Sequence, residues 1–373
     1  MHYTLHLTNE CNMACSYCYV GKQKIVAMSV ETARKAADLA GLPGKPVGLV
    51  FFGGEPLLQK DLIYSTVEYC RWKEKHSDCC FYFKVTTNGL LLDRDFMEFS
   101  KKEDIFIALS HDGVQEAHDR HRFDKRGEGT FDSLTEKIDL LLASRPYAPV
   151  LLVFNPDTAA YYCDSVKYLY ERGFKYIICS MNHAANWDRN AFRLLKREYE
   201  KLSEFYYEKT LAEDKFYLSP FEVKISSQIQ GDDYCKERCE LGKRQISIAP
   251  DGFLYPCVQF VGDAEFAIGH IDSGIDETVR DRLYSLNEMD KRECVGCAIS
   301  SRCNNHCGCM NRQATGRIER VSPALCEHER LLLPIADRLA EKLYRKRNAM
   351  FVQKHYNDMF PVLSLIEDNT ELP

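Results

Sequence analysis

Alternating apolar and amphipathic runs are the feature that most restricts the fold of this chain. Short apolar runs alternate with longer runs of helical periodicity from the N-terminus to about residue 180. The predicted strands read HYTLHL, VGLVFF, FYFKVT, DIFIALS, PVLLVF and KYIICS. With a last helix over 187–210 they make six strand–helix units, which predicts an α/β fold with a parallel sheet. Six units predict a partial, TIM-like (β/α)6 barrel rather than the closed barrel of eight.

Polar loops follow the first four predicted strands. A loop with three cysteines follows the first strand, FFGGEPLL ends the second, TTNG the third and SHDG the fourth. In parallel α/β folds, ligands bind at the C-terminal ends of the strands. We therefore expect these four loops to face one shared mouth.

Cysteine content sets this chain apart from ordinary soluble enzymes. It has 17 cysteines in 373 residues, and its N-terminus lacks the charged and apolar regions of an export signal. Reduced thiolates that bind metal therefore fit better than disulfides. A net charge of -6 and the absence of a long apolar run predict a cytoplasmic protein with no nucleic-acid or membrane partner.

The sequence pattern changes after about residue 215. The alternation stops, cysteines cluster, and QISIAPDGFLYPC is typical of a hairpin that turns at Asp251 and Gly252. We expect four segments: a barrel over 1–214, a linker over 215–234, a cysteine-rich domain over 235–330 and a helical tail over 331–373. Pro334 should kink or interrupt the helix of that tail.

Cys11, Cys15 and Cys18 lie on the loop after the first strand, in LTNECNMACSYCYV. Three thiolates can bind three irons of a 4Fe-4S cluster, whereas an electron-transferring cluster normally has four. The iron left open would bind a ligand or substrate. Zinc is the alternative, but it needs a fourth nearby ligand, and the candidates His2 and His6 both lie on the predicted strand.

The spacing Cys11-x3-Cys15-x2-Cys18, with Tyr17 before the last cysteine, resembles the signature of radical S-adenosylmethionine (SAM) enzymes. The resemblance implies that the open iron binds the amino and carboxylate groups of SAM. It also implies that an electron from the cluster cleaves SAM to a 5′-deoxyadenosyl radical. The ring of Tyr17 should lie along the adenine, although simple packing is an alternative role.

Other loops resemble the SAM contacts of that family. FFGGEP is similar to its glycine-rich motif, in which Gly53 and Gly54 would permit close backbone approach and Glu55 would accept from the SAM ammonium. Ser110 resembles a ribose contact, and Asn88 should face the same mouth. Ordinary turn chemistry at Ser110 and Asn88, and a simple strand-ending turn at GGEP, are the alternatives.

The later cysteines resemble the SPASM extension of radical SAM enzymes that modify peptides and proteins. The resemblance implies two closed auxiliary 4Fe-4S clusters. One would be held by Cys235, Cys239, Cys257 and Cys307, and the other by Cys294, Cys297, Cys303 and Cys326. Cys309 could take the place of Cys235, and a zinc knuckle with His306 is the alternative for the 294–307 run.

Together the two resemblances imply a radical SAM peptide or protein maturase that uses SAM and three 4Fe-4S clusters. We expect it to oxidise a side chain of a ribosomally made peptide, forming a thioether or carbon–carbon cross-link. The expected partners are a peptide or protein substrate and an electron donor such as flavodoxin or ferredoxin. Because the barrel starts at residue 2, a leader peptide would bind a separate leader-binding protein, or the barrel and SPASM surfaces themselves.

Two other functions stay open at this point. Anaerobic sulfatase-maturating enzymes, which form formylglycine, carry a proposed basic aspartate where this chain has Val258. That difference favours cross-linking, although Asp263 or Glu265 could supply a base. An iron–sulfur carrier or scaffold without radical chemistry is the third reading, but a carrier needs neither an open iron nor the GGEP motif.

Overall fold

The computed structural model describes residues 1–20, 25–231 and 239–369. Seven strands follow one another in chain order across one sheet, each parallel to its neighbours. They are β1 (His2–Thr8), β2 (Pro46–Gly53), β3 (Cys80–Thr87), β4 (Ile105–Ser110), β5 (Val150–Phe154), β6 (Tyr176–Met181) and β7 (Tyr217–Leu218). The α/β fold with six predicted strand–helix units is confirmed, and β7 adds a short strand to it.

Helices connect these strands and pack against the sheet. They are α1 (Val30–Ala40), α2 (Lys60–His76), α3 (Arg94–Lys102), α4 (Gln115–His121), α5 (Phe131–Ser144), α6 (Tyr162–Glu171) and α7 (Arg189–Leu211). Ser29 caps α1 by accepting a hydrogen bond from the Thr32 amide. Leu5 and Phe51 are fully buried in the core, together with Ala33 and Ala37 of α1.

A hairpin from the cysteine-rich region extends the sheet on its other side. β8 (Gln245–Ile248) pairs in parallel with β1, and β9 (Leu254–Tyr255) pairs antiparallel with β8. The hairpin predicted around Asp251 and Gly252 is therefore confirmed. Since the outermost strands β7 and β9 do not pair with each other within the described ranges, the barrel stays open. Pairing of β8 with β1 joins the cysteine-rich region directly to the strand that precedes the cysteine loop.

The segment expected as a linker, 215–234, is folded in its described part. It contains β7 and helix α8 (Ser219–Gln230). Helical periodicity is hidden in this sequence because α8 buries polar residues along with apolar ones. Glu222 accepts from Tyr206 (2.6 Å) and Lys354 (2.7 Å), and Lys224 pairs with Glu329 at 2.7 Å.

Two short strands and five further α-helices complete the description. Those not yet given are β10 (Gly269–His270), β11 (Gly274–Ile275), α9 (Glu277–Glu288), α10 (Gly308–Thr315), α11 (Pro323–Arg345), α12 (Ala349–Tyr356) and α13 (Phe360–Asn369). Helix α11 continues through Pro334, so the interruption expected there as one of two outcomes is wrong. Burial of Leu332, Ile335 and Leu339 favours the helix despite the hydrogen bond that proline cannot donate. In the ranges that the structure describes, no helix has the length and apolar character of a membrane span.

Candidate active site

The cysteine loop lies against the C-terminal ends of the neighbouring strands. Thr8 O accepts from the Gly54 amide at 2.8 Å, and Glu10 O accepts from the Glu55 amide at 2.8 Å. The loop also contacts Asn88 after β3 and Asp112 after β4. Four polar loops therefore meet at one edge of the sheet.

Cys11, Cys15 and Cys18 are grouped on this loop. Burial, together with the nearby Glu55, Cys15 and Cys18, raises the pKa of Cys11 to about 11. The Cys11 sulfur accepts from the Met13 amide (3.4 Å) and from Asn88 Nδ2 (3.6 Å). Amide donors of this kind stabilise thiolate sulfur, which is the form that binds iron.

Gly53 and Gly54 permit a close backbone contact, and the partner is the cysteine loop itself. Gly53 has φ +133°, and a Cβ there would lie 2.2 Å from Thr8 O. A Cβ on Gly54 would lie 2.1 Å from Glu10 O. Any side chain at either position would push the cysteine loop away from β2.

Glu55 is fully buried, and its carboxylate joins the loop after β2 to the end of β3. Its Oε1 accepts from the Leu57 amide (3.0 Å) and from Thr87 Oγ1 (2.7 Å), and its Oε2 accepts from the Asn88 amide (2.8 Å). Burial raises the pKa of Glu55, and these hydrogen bonds oppose that rise. A carboxylate has about four acceptor positions, so roughly one is left for a ligand.

Replacement of Glu55 by Gln tests this role. The amide nitrogen of Gln can only donate, so it would face one of the three donors and leave it without an acceptor. We expect the free energy of unfolding to fall by about 1–3 kcal/mol, measured by urea denaturation under anaerobic conditions. Glu68→Gln, on the exposed side of α2, is the control and should change little. Equal effects of the two substitutions would contradict the assignment.

Asn88 positions the cysteine loop from the β3 side. Its Nδ2 donates to Asn12 Oδ1 at 2.8 Å as well as to Cys11, and its Oδ1 accepts from the Leu90 amide at 3.1 Å. The side chain is therefore already bonded at both ends. Its contacts orient the loop and the Cys11 sulfur.

Tyr17 lies between two buried charged groups. Its hydroxyl donates to Asp112 Oδ2 at 2.7 Å and accepts from Arg122 Nη1 at 2.9 Å. Arg122 is 5% exposed, and its Nε has no hydrogen-bond partner among the described residues. Burial would lower the pKa of Arg122, but Tyr17, Asp112 and Cys15 together raise it above its ordinary value. The guanidinium thus stays charged beside Cys15 and can bind a carboxylate.

An open cavity of about 280 Å³ begins at Tyr17 and extends over the ends of β5 and β6. It is lined by Ser16, Tyr17, His121, Asn155, Pro156, Asp157, Asn182 and Ala185. His121 links two of these groups, with Nδ1 2.7 Å from Ser16 Oγ and Nε2 2.9 Å from Asp157 Oδ1. An aromatic ring and several amide and carboxylate groups suit a flat, polar ligand. Ser110 ends β4 half-buried and does not line this cavity.

The first auxiliary group of thiols contains Cys239, Cys257 and Cys307, and Cys309 lies with them. The sulfurs of Cys307 and Cys309 are 3.4 Å apart. Burial raises the pKa of Cys239 to about 12, and the nearby Cys307 and Cys257 thiols add to the rise. Cys235, also expected here, lies outside the described residues.

The second auxiliary group contains Cys294, Cys297, Cys303 and Cys326. Burial raises the pKa of Cys326, with further contributions from Cys294 and Cys297. Burial likewise raises the pKa of Cys303 to about 12, and Cys326 contributes to it. Cys326 therefore lies near Cys294, Cys297 and Cys303, and the division of the later cysteines between two clusters stays a prediction.

Tyr19 lies between the cysteine loop and the first auxiliary group. Protein surrounding its hydroxyl raises the pKa of Tyr19 well above its ordinary value, and the nearby thiols of Cys257, Cys18 and Cys309 contribute. One tyrosine therefore neighbours both groups of thiols.

The donors suit iron–sulfur clusters rather than a single metal ion. In the part of the chain that the structure describes, no three Cys, His, Asp or Glu side chains converge as ligands of one ion. In a 4Fe-4S cluster each thiolate binds a different iron, so the thiols surround a volume. Cys11, Cys15 and Cys18, on one loop, suit that arrangement, and clusters on the two later groups stay a prediction.

Sequence reasoning missed several groups at this site. Asp112 and Arg122 are central to it, yet only the SHDG loop before α4 drew attention to Asp112. No sequence pattern marked Arg122 or Asn155 as site residues, because the local sequence around an arginine or asparagine near a strand end looks the same whether the side chain is buried or exposed. Asp263 and Glu265, considered as bases, lie at the surface near Arg312, at 3.6 and 3.9 Å.

The fold is an open α/β barrel with grouped thiols at the C-terminal edge of its sheet, and comparison with known proteins identifies the family. The model of the Radical SAM superfamily matches residues 5–195, more than half of the chain. The chain therefore belongs to the radical SAM superfamily and is an enzyme.

Individual relatives show how far the similarity extends. An uncharacterized protein of Methanocaldococcus jannaschii is 33% identical over 177 residues, 47% of this chain and 60% of that protein, so this match covers less than two thirds of its length. A cysteine-type anaerobic sulfatase-maturating enzyme of Clostridium novyi is 22% identical over 80% of this chain and 85% of that protein. The solved structure of native anSMEcpe with bound AdoMet and Kp18Cys peptide has a TM-score of 0.79 and 21% identity, and covers 92% of this chain and 99% of that one. The last likeness shows a shared fold.

Proposed function

We propose that this enzyme is a radical SAM maturase that oxidises a side chain of a peptide or protein. The observation that carries the proposal is the three-cysteine loop, which lies near Glu55, Asn88 and Arg122. Tyr19, at the end of this loop, also lies near the first auxiliary group of thiols. Bound SAM and a cluster on Cys11, Cys15 and Cys18 would supply a 5′-deoxyadenosyl radical. Reducing electrons would come from a donor such as flavodoxin or ferredoxin.

The chain's own residues would bind and orient SAM. The buried guanidinium of Arg122 would bind the SAM carboxylate, because it is charged and its Nε has no partner among the described groups. The remaining acceptor position of Glu55 would take a hydrogen bond from the SAM ammonium. Tyr17, fixed through its hydroxyl, would present its ring to the adenosine in the 280 Å³ cavity.

The two later thiol groups would hold auxiliary 4Fe-4S clusters. Cys239, Cys257 and Cys307, with Cys235 or Cys309, would hold one, and Cys294, Cys297, Cys303 and Cys326 the other. Oxidation of a substrate removes an electron as well as a hydrogen atom. A cluster near Tyr19 is well placed to accept that electron.

Formylglycine formation is the first candidate reaction. Relatives named as cysteine-type and serine-type anaerobic sulfatase-maturating enzymes resemble the chain over 80% of its length, beyond the barrel itself. In this reaction a cysteine or serine side chain would lose a hydrogen atom, an electron and a proton.

Cross-linking of a peptide side chain is the second candidate. Val258, half-buried after Cys257, has no carboxylate at the position where the resemblance to sulfatase-maturating enzymes implies a basic aspartate. A substrate radical that is not deprotonated there could instead form a thioether or carbon–carbon bond.

Reconstituted enzyme with SAM, a reductant and the Kp18Cys peptide distinguishes these outcomes. We expect 5′-deoxyadenosine and a modified peptide, with about twelve irons and twelve sulfides per chain for three clusters. A peptide aldehyde would indicate formylglycine formation, and loss of two hydrogens with a new internal bond would indicate cross-linking. Intact clusters without any 5′-deoxyadenosine would overturn the proposed function, and about four irons together with bound zinc would overturn the auxiliary clusters.

A further inference from the structure

The inner face of the open barrel, on the side of the sheet away from the helices, is partly exposed. Side chains of a strand point alternately to the two faces of a sheet. Phe83 points to the helices, because its ring centre lies 4.8 Å from the guanidinium of Arg71 on α2. Its neighbours Tyr82 and Lys84 therefore point inward. Since Tyr82 is 61% exposed, the described chain leaves much of this face uncovered.

Lys84 gives this face a positive charge that no strand residue balances. The parallel strands β1–β8 contain one Lys and no Arg, Asp or Glu. The ammonium lies 5.8 Å from the ring centre of Phe106, the half-exposed residue opposite it on β4. It has no hydrogen bond or ion pair among the described residues. Lys84 is half-buried, burial lowers its pKa, and a partly buried cation without a counter-ion is unfavourable. An anionic ligand would relieve that cost.

A row of side chains connects Lys84 to the cysteine loop. Lys84, Thr86 and Asn88 are two residues apart along β3 and the loop that follows it, so they lie on the same face. Asn88 Nδ2 donates to Asn12 Oδ1 (2.8 Å) and to the Cys11 sulfur (3.6 Å). At about 3.3 Å per residue, Lys84 lies about 13 Å below Asn88 along the strand. An extended peptide on this face would cover that distance in about four residues.

We propose that Lys84 binds an aspartate or glutamate side chain of the peptide substrate, about four residues from the side chain that is oxidised. This proposal rests on the proposed function, which places the oxidised side chain beside the cysteine loop. The ammonium offers three donors to the carboxylate, and the partly buried setting strengthens their attraction relative to bulk water. The exposed rings of Tyr82 and Phe106 would pack against apolar parts of the same peptide. Lys84 is thus a specificity-determining residue that selects peptides with an acidic residue at this spacing.

Peptide binding to the reconstituted enzyme with SAM tests the proposal, measured by fluorescence anisotropy. The probes are labelled pairs of Kp18Cys analogues with either Glu or Gln at one position, roughly two to six residues before or after the cysteine. At one position, about four residues away, wild-type enzyme should bind the Glu analogue about 10-fold more tightly than the Gln analogue. Lys84→Met should bind the two equally. Lys101→Met, at an exposed lysine of α3, is the matched control and should keep the wild-type preference.

Charge reversal separates recognition of the peptide from a change in the fold. Lys84→Glu should bind an analogue with Lys at the selected position more tightly than the Glu analogue, which a merely structural role would not produce. Equal affinities of wild-type enzyme for Glu and Gln at every position, or no measurable binding, would overturn the role of Lys84 alone. Wild-type enzyme that binds the Glu analogue through Lys84, yet oxidises none of the peptides, would instead overturn the proposed function.

Discussion

Replacement of Cys11, Cys15 and Cys18 together by alanine should abolish the formation of 5′-deoxyadenosine from SAM. These three thiols lie on one loop that Gly54 and Asn88 hold against the sheet, and no other thiol of the described chain is grouped with them. Without them the first cluster has no ligands, so SAM would have neither its iron site nor its electron. The measurement is chromatographic assay of 5′-deoxyadenosine after anaerobic reconstitution and reduction.

Iron and sulfide content gives the same experiment an independent readout. Loss of one cluster out of three should lower both from about twelve to about eight per chain, because the two auxiliary groups use other cysteines. Cys80→Ala is the control, since Cys80 is exposed on β3 and belongs to none of the three groups. Retained SAM cleavage in the triple variant, or loss of nearly all iron, would contradict the assignment.

Replacement of Arg122 by Met should reduce both stability and SAM binding. The Tyr17 hydroxyl bridges Arg122 and Asp112, and all three polar groups are away from bulk solvent. Removal of the guanidinium leaves the Asp112 carboxylate buried without a compensating charge, which costs about 3–5 kcal/mol of unfolding free energy. Loss of a charged contact to the SAM carboxylate should weaken SAM binding by roughly 10- to 100-fold. Urea denaturation and equilibrium dialysis with SAM measure the two effects.

A second substitution separates the buried charge from a general packing defect. Asp112→Asn in the Arg122→Met background removes the uncompensated carboxylate and should recover part of the lost stability, without recovering SAM binding. Arg126→Met, at an exposed arginine bonded to Asp124 and Glu128, should change neither quantity by much. If Arg122→Met behaved like Arg126→Met, the buried network would have no role in stability or SAM binding.

The barrel could be predicted because its strands and helices have clear local patterns. Leu5, Leu7, Leu49 and Phe51 lie in short apolar runs that form β1 and β2 and are buried there, and such runs can be recognised without knowledge of the tertiary structure. Helix α8 could not be predicted, since Glu222 and Lys224 are buried there through ion pairs with distant residues. The interruption expected at Pro334 was also wrong, because packing of α11 compensates for the backbone hydrogen bond that proline cannot donate.

Part of the candidate site could be predicted for a different reason. Spacings such as that of Cys11, Cys15 and Cys18 place several thiols on one short loop whatever the rest of the chain does. The close approach at Gly53 and Gly54 was also anticipated, but its partner was not. The contact is with Thr8 and Glu10 of the cysteine loop, a pairing that depends on how β1 and β2 are aligned.

By itself, then, the sequence determined the parallel strand–helix order and the thiols that lie close together along the chain, because both depend on short-range spacing. Tertiary structure alone decided which distant groups share a site. It paired β8 with β1 and brought Arg122 to Tyr17 and Cys15. Burial of a charge or of an imidazole depends on the packing of segments far apart in the chain, so no local pattern reveals it.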